Sequence, residues 1–366
     1  MTDAMISLQG VTKTFPGTTS PAVGDLSFDV PEGAITVLVG PSGCGKTTTL
    51  KMINRLVEPT SGTIEVAGRD VTSLEAHELR RGIGYVIQQI GLFPHRTIAD
   101  NIATVPRMLG WDKARIADRI DELVGLVDLE PEMRDRYPAE LSGGQRQRAG
   151  VARALAADPP VLLMDEPFGA VDPIVRARLQ DELLSLQERL HKTIVLVTHD
   201  IDEAIKVGDL VAILKIGGKL EQYDDPAEVL RNPANEFVAD FLGEDRGIKR
   251  LSLIPIRTVD LERGPVVAPD SGMGEAKAVM ARYEIDWIAV GERDRIDGWV
   301  SASDLDGGRI GDAPIRPFRT TLTPNSSLRD ALDAVLSSHT KAAAVFDGDR
   351  YLGMLSLDRI TEKIVN

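Results

Sequence analysis

The apolar run AITVLV (residues 34–39) passes directly into the glycine-rich octapeptide GPSGCGKT (40–47) and then into TTLKMINRL, and no other stretch limits the fold so tightly. A short run that is apolar on both faces reads as a strand buried between two layers. The glycines allow a turn whose backbone amides converge, and the next segment reads as a helix opening on that turn. G-x-x-x-x-G-K-T between a strand and a helix is a phosphate cradle. Gly40, Pro41, Ser42, Gly43, Cys44, Gly45, Lys46, Thr47 and Thr48 are its candidate residues. Lys46 reaches the β- and γ-phosphates, and Thr47 offers a hydroxyl to Mg²⁺.

Two later runs have the same form as the first. PVLLMDEP (160–167) and TIVLVTHD (193–200) are short, apolar and end in acidic residues. AHELRRG, DKARIADRIDELVGLV and DPIVRARLQDELLSLQERL read as the intervening helices, so this part is α/β, with function expected at the carboxyl ends of parallel strands. Asp165 and Glu166 stand at such an end. A hard cation and an attacking water both need carboxylates near a γ-phosphate, so Asp165 is expected to support Mg²⁺ and Glu166 to polarise the water. ELSGGQRQR (140–148) has a serine and two glycines opening a basic segment, which suits a second phosphate grip at a helix N-terminus.

The 366 residues leave room for two or three domains. The net charge is −14, of which residues 244–366 carry only −3 (17 basic, 20 acidic), a balance that argues against a nucleic-acid partner. One cysteine, Cys44, excludes an internal disulfide, and its place inside the loop at a helix N-terminus leads to the expectation of a reactive thiol that MgATP shields from alkylation. The N-terminus lacks a basic stretch followed by an apolar one, and no apolar run approaches the ~18 residues of a spanning helix, so a soluble, cytosolic chain is expected. A boundary is expected after NPANEFVADFLGEDRG (232–247). Beyond it, residues 271–305 align on 326–360 without a gap, IAVGERDRIDGWVS matching AAVFDGDRYLGMLS, which reads as two copies of one small unit.

Over roughly residues 5–243 the ordered motifs resemble the ATP-binding cassette (ABC) ATPases. The resemblance makes residues 40–47 the Walker A motif and Asp165 and Glu166 Walker B. It puts Phe15 where an aromatic ring stacks on adenine. It makes Gln88 the Q-loop glutamine, grouped with the catalytic and Mg²⁺ residues, and His199 the switch histidine. Asp172 becomes the D-loop aspartate, and Ser142, Gly143, Gly144 and Gln145 the family signature LSGGQ. In that family two cassettes pair head to tail, and the signature of one grips the ATP held by the Walker A of the other. A chain with one set of motifs is therefore expected to form a homodimer with two equivalent sites.

The wording YVIQQIGLFPHRTIADNI is similar to importers of glycine betaine, choline, carnitine or proline, and the segment 88–110 corresponds to the groove that receives a coupling helix. GWVSASDL (298–305) and GMLSLDRI (353–360) resemble the ends of cystathionine-β-synthase (CBS) modules. The expected architecture is a P-loop ABC nucleotide-binding domain over 1–243, then a tandem CBS regulatory module of βαβ type, with units at 248–309 and 310–366. The resemblance implies ATP and Mg²⁺ as cofactors. It further implies two transmembrane permease subunits, an extracytoplasmic substrate-binding protein and a peripheral location on the cytoplasmic face of the inner membrane. In CBS pairs a Ser and an Asp three residues on hold nucleotide phosphate and ribose, here Ser301 and Asp304. The second unit departs from this, with Arg359 at the aspartate position after Ser356, suited to a phosphate of an adenine or cyclic dinucleotide. Two other readings remain open at this level: the same machine with another small amine or amino acid, and a soluble ABC ATPase that transports nothing.

Overall fold

The computed structural model describes residues 4–87, 91–169, 171–292, 294–305 and 308–365, with the side chains of 364 and 365 left aside. The chain forms two compact units, Met1–Gly243 and Glu244–Asn366.

Two sheets build the first unit. One has six strands in the order Lys219–Asp224, Leu210–Lys215, Ile35–Val39, Thr193–Thr198, Val161–Asp165 and Ile83–Val86. All neighbours are parallel except the outermost hairpin, Leu210–Lys215 with Lys219–Asp224. Every residue of the strands at 35–39, 161–165 and 193–198 is buried, as expected for strands covered on both faces. The other sheet is antiparallel: Val23–Pro31, Ala4–Lys13, Ser61–Val66 and Arg69–Asp70. Leu8, Val11 and Leu26 from this sheet share one core with Leu38, Val195 and Val197 of the parallel sheet and with Leu50 and Met52 of the helix Lys46–Ile53. Burying each such side chain contributes about 1.5–3 kcal/mol. The P-loop helix is thus clamped from both sides, which fixes the loop that precedes it.

Topology carries the motifs to one edge. The strands ending at Val39, Asp165 and Thr198 are neighbours in register, with Val39 opposite Thr198 and Asp165 opposite Val197. Their carboxyl ends therefore stand side by side. Two glycines let the loop close there. Gly40 has φ +156°, and a Cβ on it would lie 2.1 Å from the Leu214 carbonyl oxygen; Gly45 has φ +101°, with the Ala22 carbonyl 2.5 Å from a would-be Cβ.

The second unit contains two three-stranded sheets of identical plan. Val266–Val267 pairs parallel to Trp287–Glu292, which pairs antiparallel to Arg295–Ser301. Thr321–Leu322, Ala342–Asp347 and Arg350–Ser356 repeat this pattern at a constant offset of 55 residues. The helices Met273–Tyr283 and Leu328–Ser337 occupy matching places. Trp287 and Ala289 from one half and Ala344, Tyr351 and Met354 from the other form a shared apolar cluster. Each half thus covers the apolar face of its twin, the reason such units come in pairs.

Candidate ATPase site

The phosphate-binding loop opens the helix Lys46–Ile53 and lines an open cavity of about 550 Å³ together with Ala22, Glu166 and His199. Residues 42–48, at one strand–loop–helix junction, thereby meet Glu166 and His199, which lie far away in the chain. The Lys46 ammonium is buried and donates hydrogen bonds to the carbonyls of Gly40 (2.7 Å) and Pro41 (3.0 Å). Backbone dipoles hold this cation in place until something more negative arrives.

Thr47 Oγ1 donates to Asp165 Oδ1 at 2.8 Å, so the two residues expected to serve Mg²⁺ touch each other. Burial pushes the Asp165 carboxyl above the usual carboxylate range, while the Thr47 hydrogen bond and the nearby Lys51 and Lys46 ammoniums oppose it. The same cause lifts Tyr85, on the neighbouring strand, to about 12, with the Asp165 charge adding to it. Among the described residues no group of three or more His, Cys, Asp or Glu could cage a metal. One hydroxyl and one carboxylate are what Mg²⁺ requires where phosphates and water complete its shell, so the residues fit that ion.

Glu166 follows directly, with φ +45°, a left-handed conformation uncommon outside glycine and asparagine. Its amide donates to the Val197 carbonyl at 2.9 Å, which anchors the strained turn to the next strand. Its Oε1 lies 3.4 Å from His199 Nδ1. Glu166 and His199 are therefore adjacent, and both line the loop cavity.

The second cradle is elsewhere. Ser142 caps the helix Gly143–Leu155 in a capping box: its Oγ accepts from the Gln145 amide (3.3 Å), and Gln145 Oε1 accepts from the Ser142 amide (2.8 Å). Ser142, Gly143, Gly144 and Gln145 line a separate cavity with Val171 and Asp172. Asp172 caps the helix Pro173–Leu190, accepting from the amides of Ile174 (3.1 Å) and Val175 (3.0 Å). The two phosphate grips expected from the sequence therefore line different cavities.

Of the residues expected around the nucleotide, Phe15 stands apart from the loop cavity. Phe15 is exposed, with the Lys13 ammonium 5.2 Å from its ring centre, and is not among the residues lining it. Gln88 lies outside the described residues. Cys44 corrects the expectation of a reactive thiol at a helix N-terminus: its side chain is fully buried in the core between the two sheets. In the second unit Asp304 pairs with Arg316 at 2.8 Å, and Ser301 Oγ accepts from Ser303 Oγ at 3.0 Å. Arg359 pairs with Glu262 (2.9 Å) and Glu362 (3.3 Å), which raise its pKa further. A ligand there would have to compete with these partners.

Sequence reading missed one cluster beside the site. Arg176 lies 3.7 Å from Asp200 and 3.6 Å from Glu203, and Thr198 donates to Glu203 Oε2 at 2.5 Å. No motif spacing marks it, because its members come from two helices and a strand.

Comparison with known proteins agrees with this geometry. A family model described as ABC transporter matches residues 23–169, and one described as CBS domain matches 310–366. The osmoprotectant import ATP-binding protein OsmV of Salmonella typhimurium is 48% identical, the match covering 98% of this chain and 96% of that one. The glycine betaine/carnitine/choline transport ATP-binding protein OpuCA of Bacillus subtilis is 46% identical, over 95% and 93%. Among solved structures, a dimeric bacterial ABC transporter cassette superposes with a TM-score of 0.55 at 34% identity, covering 61% of this chain and 99% of that one. The same cassette has also been solved as a dimer bound to ADP and Pi after hydrolysis.

Proposed function

From the premise that this chain belongs to the ATP-binding subunits of ABC osmoprotectant importers, with an ABC ATPase unit and a CBS tail, we propose that it hydrolyses MgATP as a homodimer to drive uptake of a quaternary amine such as glycine betaine, choline or carnitine. The observation that carries the reading is the pairing of one phosphate loop with one signature grip, each lining its own cavity. A symmetric head-to-tail pair brings each signature to the partner's loop and makes two equivalent sites.

In each site the loop amides and Lys46 grip the phosphates. The Lys46 ammonium exchanges the Gly40 and Pro41 carbonyls for phosphate oxygens. Thr47 and Asp165 would hold Mg²⁺, which would supply positive charge against the phosphate oxygens. Glu166 accepts the proton of the attacking water, and His199, 3.4 Å from it, holds the carboxylate in place and faces the γ-phosphate. From the partner, Ser142 and the amides of Gly143 and Gly144 close the other side of the γ-phosphate. Phe15 supplies an exposed ring for adenine.

No helix among the described residues is long and apolar enough to cross a membrane, so translocation falls to separate permease subunits. A groove lined by Tyr85, Phe93, Thr104, Val105 and Arg153 offers a rim for a helix from such a subunit. An extracytoplasmic binding protein would deliver the cargo, placing this chain on the inner face of the membrane. The unit at 248–309 is read as a first CBS module beside the matched one, with Ser301, Asp304 and Arg359 as the residues a nucleotide would recruit from their present partners.

The test is reconstitution with the permease and binding protein in proteoliposomes. Glycine betaine, choline or carnitine should stimulate ATP hydrolysis and accumulate inside. Stimulation only by an unrelated solute would overturn the cargo, and ATPase activity with no permease association would overturn the transport role.

A further inference from the structure

Each half of the ATPase unit has a reason to know the state of the other, because the cavity lined by Ser142 and Asp172 serves the partner's nucleotide while His199 serves the chain's own. One side chain bridges these two regions. Arg176 stands one turn into the helix that Asp172 caps, and its Nη2 donates to the Val171 carbonyl at 3.4 Å. Val171 and Asp172 both line the signature cavity. The other edge of the guanidinium faces the switch segment: Nη1 lies 3.7 Å from Asp200 Oδ2, and Nε 3.6 Å from Glu203 Oε1.

Those two acids position the loop that carries the switch histidine. Asp200 follows His199 directly and caps the helix Ile201–Val207, its Oδ1 accepting from the amides of Asp202 (2.9 Å) and Glu203 (3.4 Å). The Asp200 amide in turn donates to Thr198 Oγ1 (3.1 Å), the hydroxyl that donates to Glu203. His199 is therefore threaded between two residues locked to the same network. Glu203 is buried, and desolvation raises its carboxyl pKa more than Arg176 and the Thr198 hydroxyl lower it. A buried carboxylate without its cation is costly, so the network has reason to move as a unit with Arg176.

We propose that Arg176 is a positioning residue that relays occupancy of the partner's nucleotide site, through Val171 and Asp172, to His199 of its own chain. The relay rests on the homodimer reading above. A nucleotide held against the signature cavity fixes the start of the Pro173–Leu190 helix. The guanidinium then holds Asp200 and Glu203, and with them His199, in register with Glu166 3.4 Å away. Both sites occupied gives both histidines their place, and one site empty leaves its neighbour's histidine loosely set. Coupling of this kind travels through packed and ion-paired groups and is worth enough to read in kinetics.

The experiment compares the full-length parent with Arg176→Gln and Arg176→Lys, measuring MgATP hydrolysis across ATP concentration and MgATP binding to each chain. ATP-driven dimerisation is followed by size exclusion in a Glu166→Gln background. For Arg176→Gln we expect an unchanged dissociation constant and an intact ATP-bound dimer. Its kcat should fall roughly ten-fold, and its ATP dependence should flatten from sigmoidal towards hyperbolic. Arg176→Lys, which keeps the charge, should recover most of both losses. The relay is overturned by an unaltered kcat, by a loss of kcat with the parent's sigmoidicity retained, by a hyperbolic parent, or by loss of the ATP-bound dimer with Arg176→Gln alone. A Glu166→Gln chain with native Arg176 that forms no ATP-bound dimer overturns the homodimer reading itself, and the relay with it.

Discussion

Glu166 holds a left-handed backbone conformation at the end of a fully buried strand, pinned by the Val197 carbonyl and facing His199. Strain of that kind persists where neighbouring structure enforces it, and here it aims a carboxylate at the phosphate loop. Replacing Glu166 by Gln keeps shape and removes the proton acceptor. Turnover should fall by at least about 10²-fold, the usual scale of a lost general base, while MgATP binding is retained. Steady-state hydrolysis and nucleotide titration measure the two, and turnover within a few-fold of the parent would remove Glu166 from the role. Phe15→Ala should weaken ATP binding by about 1–3 kcal/mol if the ring stacks on adenine. A titration with unchanged affinity would leave Phe15 as a surface residue paired with Lys13. Glu166 was legible because it closes an apolar strand, and Thr47 touches Asp165 as the motif spacing implies; Phe15 came from the family resemblance alone. Cys44 was not legible. Its place in the octapeptide suggested an accessible thiol, and its burial depends on how Leu38, Leu50 and Leu214 pack around the loop. With the thiol buried, alkylation of the folded chain should be slow with or without MgATP. Rapid labelling that MgATP blocks would contradict that placement.

At the level of elements, three parallel strands end side by side and set the site. Their all-apolar runs announced them, as did the helices between. The C-terminal repeat was equally readable, since the offset of 55 in sequence recurs strand for strand. The order of strands and the Arg176 network were not readable, because they arise from pairings between segments far apart in the chain. The tight approach of the loop to the strand Leu210–Lys215 yields a prediction of its own. Gly40→Ala puts a Cβ 2.1 Å from the Leu214 carbonyl at φ +156°, so backbone must shift. Stability should drop by more than about 2 kcal/mol, read from denaturant midpoints, and nucleotide binding should suffer with it. A variant as stable as the parent would mean the loop can back away from that strand.

For the whole molecule, the central claim is that the two phosphate grips in one chain belong to two different nucleotides. The described residues line a loop cavity and a separate signature cavity, and pairing with a second copy would give each loop a signature. A cassette similar to this chain has been solved as a dimer. The most direct measurement mixes two defective chains, Lys46→Ala and Ser142→Arg, each expected to be inactive as a homodimer. In the mixed dimer both lesions fall on one site: the broken loop of one chain faces the broken signature of the other. The second site then pairs an intact loop with an intact signature. Mixing should restore hydrolysis clearly above either homodimer, though to well under half the parent rate per mixed dimer, because the empty site leaves the histidine of the intact one loosely set; formation of the mixed dimer is measured alongside. No recovery in mixed dimers that form and bind ATP would contradict the account, since that is the result expected if loop and signature of one chain serve the same nucleotide.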